Sequence, residues 1–150
     1  MRALLVALTL LSGFAGAVVD EAGAALRRDP VFVHPEASAK YTLSGDEANR
    51  LRDRIRSGGK PVFVAVLPDA AEDEAGGING LPAALGDATG LRGTYAVVTG
   101  TGFRAASNAL PRGMAGELAG AAFQARKSAG SYAVLEEFVN RVATADAGST

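Results

Sequence analysis

The chain has 150 residues, 48% of them hydrophobic and 21% charged, enough for one domain with a real core. Its 15 basic and 16 acidic residues leave a net charge of −1, which excludes the basic footprint of a nucleic-acid binder. The lack of cysteine excludes disulfides, thiol catalysis, iron–sulfur clusters, thiolate zinc sites and a lipoprotein anchor.

The chain opens with "MRALLVALTLLSGFAGAVVD": a single positive charge at Arg2, a largely apolar stretch from Ala3 to Val19, and the A-x-A triplet Ala15-Gly16-Ala17. This is the layout of a secretory signal, with a cut expected after Ala17. The stretch is also near the lower length limit of a membrane span, so a single uncleaved anchor with Arg2 inside and Asp20 outside is the alternative. A third reading makes it a core helix of a cytosolic protein. Under the first two, residues 1–19 deliver an exported domain, secreted or attached to the outer face of the cytoplasmic membrane. Residues 20–30, "DEAGAALRRDP", are small and polar and read as a linker.

The body is expected over residues 31–143. "VFVHP" is a short strand, Val31 to Val33, closed by Pro35, with His34 read as an edge residue. "SGDEANRLRDRIRSGG" is an amphipathic helix. Ser44 and Glu47 have capping-box spacing, Ala48, Leu51 and Ile55 share a face, and Gly58 ends the helix. Its arginines at 50, 52, 54 and 56 alternate and so spread around a solvated surface. Val62 to Leu67 is apolar throughout, which suits a central strand covered on both sides.

A second helix is expected from Leu81 to Thr89 with Leu81 and Leu85 inward, then a strand from Thr94 to Thr99. "GTG" at 100–102 turns the chain into a short antiparallel strand, Phe103 to Ala106. Pro111 opens a helix with Met114, Leu118, Ala121 and Ala125 on one face. Ser131 caps a last helix with the stripe Tyr132, Leu135, Phe138, Val139 and Val142, and residues 144–150 form a flexible tail. Strands alternating with helices predict an α/β fold: a mixed, mostly parallel sheet of about four strands, helices on both faces, preceded by the signal or anchor helix.

Several motifs fail on context. "GTGFRA" at 100–105 spells a dinucleotide fingerprint, but no helix follows it directly, so a hairpin turn is the reading. "SGGK" at 57–60 has the spelling of penicillin-recognising enzymes, but Ser57 closes a helix and cannot open one. There is no G-x-S-x-G, and His34 is the only imidazole. What remains is the acidic stretch after the central strand. In α/β folds ligands gather beyond the carboxyl ends of strands. Asp69, Glu72 and Asp73 are hard oxygen ligands suited to Ca²⁺ or Mg²⁺; the same acids also suit a solvated helix start. No glycine-rich phosphate cradle follows Leu67.

The sequence resembles the TPM-domain family. Leu43, Ser44 and Glu47 match its "L-S-x-x-E" element, Val62, Val64 and Val66 match its "V-x-V" strand, and Arg104 stands at its basic strand position. The resemblance spans residues 31–143. It implies an α/β domain of the cell envelope or thylakoid lumen, acting in calcium binding, weak phosphatase chemistry or as an accessory subunit of membrane complexes. The chain departs from the pattern in having His34-Pro35 in place of an aspartate after the first strand, and a middle segment without aromatics. These departures favour an exported binding or accessory module, with another envelope protein as partner, no nucleic-acid role and no catalysis expected. The alternative is a metal-assisted phosphoester hydrolase using Asp69, Asp73 and Arg104.

Overall fold

The computed structural model describes residues 17–38 and 40–145. The chain runs α1 (Ala17–Leu26), β1 (Val31–Val33), α2 (Gly45–Gly58), β2 (Val62–Val66), α3 (Ala70–Glu74), a 3₁₀ turn (Ile78–Gly80), α4 (Leu81–Thr89), β3 (Thr94–Val98), β4 (Phe103–Ser107), α5 (Met114–Arg126), a second 3₁₀ turn (Lys127–Ala129) and α6 (Ser131–Thr144). The four strands form one sheet in the order β1-β2-β3-β4. The first three are parallel and β4 returns antiparallel to β3. This is the mixed α/β sheet expected from the sequence.

The period of two along a strand sends alternate side chains to opposite faces. Val62, Val64 and Val66 of β2 enter one core with Leu51, Ile55, Ala122, Leu135 and Phe138, from α2, α5 and α6. Ala65 and Leu67 enter the other with Ala22, Leu26, Ala71, Leu81 and Leu85, from α1, α3 and α4. A strand covered on both faces needs apolar side chains throughout, which accounts for the unbroken run.

The crossover from β1 to β2 runs through α2 on the first face; that from β2 to β3 runs through α3 and α4 on the second. Both advance in the same direction across the sheet, so they have opposite hands. One is therefore left-handed, against the rule that about 98% of such connections obey. The result is that both faces are covered with only three parallel strands.

The α2 cap is as expected. The Glu47 N–H donates to Ser44 Oγ at 3.1 Å, and the Ser44 N–H donates to Glu47 Oε1 at 2.9 Å. The left-handed stop falls one residue later than expected, on Gly59 with φ 73°. The start of α6 differs too: its N-cap is Gly130, no side chain caps it, and Ser131 is the first helical residue.

Two expectations need correction. Residues 20–30 are not simply a linker, because Ala17–Leu26 is a packed helix with Ala22 and Leu26 fully buried. Val19, Ala22, Gly23 and Leu26 have i, i+3, i+4, i+7 spacing and make a narrow stripe of small groups. Of the expected leader, residues 1–16 lie outside the described residues, while Ala17, Val18 and Val19 belong to α1. The second correction is the register of α5. Its buried residues are Ala115, Ala119 and Ala122, about one position round from the expected face. Small alanines let the helix lie close to the sheet. Of the tail, Thr144 ends α6, and residues 146–150 lie outside the described residues.

Candidate functional site

The parallel strands end together at one edge of the sheet, where β4 begins, α1 and α2 start and α5 finishes. Here the acids that follow β2 are divided among separate tasks. Asp69 Oδ1 accepts from the Gly100 N–H at 2.7 Å. A Cβ at Gly100 would stand 2.8 Å from that oxygen, so any larger residue there would push the Asp69 carboxylate aside. Glu72 Oε2 accepts from the Thr99 hydroxyl at 2.6 Å, and Thr99 Oγ1 accepts from the Thr101 N–H at 3.1 Å. Two carboxylates thus hold the β3–β4 turn from below. Glu74 reaches a different element: its oxygens accept from the N–H groups of Val18 and Val19 at the start of α1. Asp73 is exposed. The predicted ligands Asp69, Glu72 and Asp73 therefore lie on one short segment but do not converge, and among the described residues no three His, Asp or Glu side chains form a metal-ligand group.

His34 is buried at the end of β1, not at an open edge. Its Nδ1 accepts from the Glu36 N–H at 3.0 Å, which places the proton on Nε2, facing Glu21 Oε1 at 3.3 Å. The imidazole ties α1 to the strand end. Arg104, the basic strand residue, donates through Nε to Asn79 Oδ1 at 2.7 Å and through Nη1 to the Phe103 carbonyl. Asp69 and Arg104 are thus held by different partners. "GTGFRA" forms the β3–β4 hairpin as expected. Ser57 and Lys60 of "SGGK" bond the main-chain carbonyls of Asp53 and Val142 respectively, at the opposite edge.

Among the described residues, two groups are shifted from their usual values. Burial draws the Asp29 carboxyl up, but hydrogen bonds from the Arg52 side chain and the Val31 N–H, with the charges of Arg52 and Arg56, hold it below its usual range. Burial, then the hydrogen bond to the Glu136 carboxylate and its charge, push Tyr132 up against the opposing arginines 50 and 54.

Sequence reasoning missed the groove on the other side of the same turn. A cavity of about 160 Å³ opens between Tyr41, Val98, Phe103, Phe123 and Val134, with Lys40 and Lys127 at its rim. It adjoins a second depression of about 320 Å³ floored by β4 and walled by Gly116, Gly120 and Phe123 of α5. Phe103 stacks edge-on against the core ring of Phe138, centroids 5.4 Å apart, which fixes the floor. Phe123 is 41% exposed. Gly116, Gly120 and Phe123 are spaced i, i+4, i+7 on one face of α5, a signal present in the sequence that a search for apolar stripes passes over, because glycine has no side chain to count. A Cβ at either glycine would meet nothing within 4 Å. Neither part of the groove is lined by an acid, although the sheet edge beside it is rich in them.

No family model matches the chain, and no curated protein matches it. Among solved structures it is similar to the N-terminal domain of the cg2496 protein from Corynebacterium glutamicum, determined by solution NMR. Sequence identity is 19% over 82% of this chain and 85% of that one, with a TM-score of 0.48.

Proposed function

We propose that the chain is an exported binding or accessory module of the cell envelope, resembling TPM domains, whose groove receives an apolar, acid-flanked segment of another envelope protein. The observation that carries this reading is the contrast across the β3–β4 turn. On one side, Asp69, Glu72 and Glu74 are occupied in holding the fold. On the other lies an open apolar groove with an exposed aromatic and two lysines. Lys40 and Lys127 are in no ion pair among the described residues; each lies over a ring, Lys40 over Tyr41 and Lys127 over Phe123. A partner carrying an apolar side chain beside a carboxylate complements that rim. Export rests on the leader-like sequence of the first nineteen residues.

The test has two arms. Fractionation of a tagged chain should find it outside the cytoplasm, and the purified chain should give no phosphoester turnover with Ca²⁺, Mg²⁺ or Mn²⁺. An intact chain kept in the cytosol contradicts export. Metal-dependent turnover abolished by Asp69→Asn replaces the module with a hydrolase.

A further inference from the structure

We propose that export is accompanied by hydrolysis of the Ala17–Val18 peptide bond, and that Glu74 is the receptor for the α-ammonium group this creates. The proposal rests on the export reading above. Two independent observations meet at this bond. The sequence places small residues, Ala15 and Ala17, at the first and third positions before it, the pattern read by export-associated peptidases. The fold places a carboxylate from a distant element on the nitrogens just after it. Glu74 Oε2 lies 3.1 Å from the Val18 nitrogen, and Oε1 lies 2.9 Å from the Val19 nitrogen.

The packing bounds the cut from one side. Ala17 is exposed, Val19 is buried at 8% exposure, and Ala22 is fully buried. A cut after Ala17 keeps the whole apolar stripe of α1, whereas a cut beyond Val19 would remove part of the core. Water supplies the hydroxyl that leaves Ala17 as a carboxylate. The C–N bond breaks, and the departing amine of Val18 is protonated to an ammonium. The single amide donor at Val18 becomes a cation with three donors, and a contact charged only on its acceptor side becomes an ion pair with Glu74.

The surroundings favour that cation. The titratable groups on α1 are Asp20 and Glu21, and those on α3 are Glu72, Asp73 and Glu74; α4, which also packs on α1, carries Asp87. Glu21 faces His34, the strand-end group beside it. None of these three helices carries a lysine or arginine. An α-amino group ordinarily titrates near about 7.7–8.0, and a carboxylate partner raises that value. The pairing is therefore complete below the ordinary value and lost as pH rises through the raised one.

The experiment uses the full chain, exported by cells, and measures the mass of its N-terminus. It then compares thermal midpoints of wild type and Glu74→Gln from pH 6 to 10, in the cut chain and in the uncut chain made without export. The substituted amide keeps an acceptor oxygen, so the variant folds. The expected N-terminus is Val18, with a gap of a few degrees between wild type and variant at pH 7. That gap should narrow at high pH in the cut chain, toward the smaller and flat gap of the uncut one, where the Val19 N–H contact with Glu74 remains. An N-terminus at any other residue overturns the proposal, as does a gap with the same pH profile in both chains. An exported but uncut chain overturns the processing and leaves the binding module standing. Metal-dependent turnover by a chain beginning at Val18 does the reverse.

Discussion

Arg52 and Asp29 together close the free edge of the sheet. Among the described residues β1 pairs only with β2, where the Val64 N–H donates to the Pro30 carbonyl and the His34 N–H to the Val66 carbonyl, so Val31 turns its main-chain groups outward. Asp29 Oδ1 accepts from the Val31 N–H at 3.0 Å, and Arg52 Nη2 donates to the Val31 carbonyl at 3.2 Å. Arg52 Nε bonds both oxygens of Asp29, at 2.8 and 3.1 Å. A fork of two side chains thus substitutes for a neighbouring strand and blocks edge-to-edge pairing. Because the Asp29 carboxyl is held below its ordinary 3.8, its contribution is complete above that value and lost as pH falls through the lower folded value. Urea midpoints from pH 7 to pH 2 should therefore show wild type above Asp29→Asn at neutral pH and the two converging below the ordinary value. Parallel curves across the range would contradict the pair's role.

The capping box at the start of α2 is a local device, and its removal has a local cost. Ser44→Ala should lower stability by about 1 kcal/mol, because the Glu47 N–H loses its acceptor. Thermal or urea melts measure this directly, and an unchanged midpoint would count against the cap.

Helix α1 separates a packed element from a linker. A Cβ at Gly23 would stand 2.7 Å from the Cβ of Ala88 on α4, so the two helices touch at that glycine. Gly23→Leu should cost about 1–3 kcal/mol by overpacking. Ala24→Leu, one position round on the exposed side, should be silent. Equal, negligible effects would return residues 20–30 to a linker.

How legible each element was depended on the contrast in its sequence. Val62 to Leu67, the Ser44–Glu47 spacing and the Leu81–Leu85 pair were plain because large apolar groups or a fixed capping spacing mark them. Helix α1 was not, since its stripe is built of Val19, Ala22, Gly23 and Leu26, whose small groups mimic linker composition. The face of α5 is masked in the sequence for a related reason: Leu118 and Met114 outrank alanine in hydrophobicity, yet close packing on the sheet selects Ala115, Ala119 and Ala122. The acids after β2 were visible, but their partners were not. Gly100 and Thr99 lie 31 and 27 residues away from Asp69 and Glu72, and no local pattern announces a contact made only by the folded sheet.

The turn these acids hold should loosen without them. Asp69→Asn combined with Glu72→Gln should speed hydrogen exchange at the Gly100 and Thr101 amides by tenfold or more, roughly what losing 1.4 kcal/mol of local stability produces. Protection unchanged at both amides would free the acids for another role.

Glycines in mid-helix lower stability by about 1 kcal/mol each relative to alanine, and at positions 116 and 120 nothing in the fold occupies the space a methyl would take. The double variant Gly116→Ala, Gly120→Ala should therefore melt higher than wild type. If the groove receives a partner, the same methyl groups narrow it and weaken capture. A variant both more stable and fully competent in binding would show that the groove is not the contact surface.

The most direct measurement is site-specific photo-crosslinking in native cells, with the reactive group placed at Phe123 in the groove or at Leu91, which is exposed at the opposite edge of the sheet. The account predicts one defined envelope protein crosslinked from position 123, none from position 91, and loss of the product in the double alanine variant. Equal yields from both positions, or no product from position 123, would contradict it.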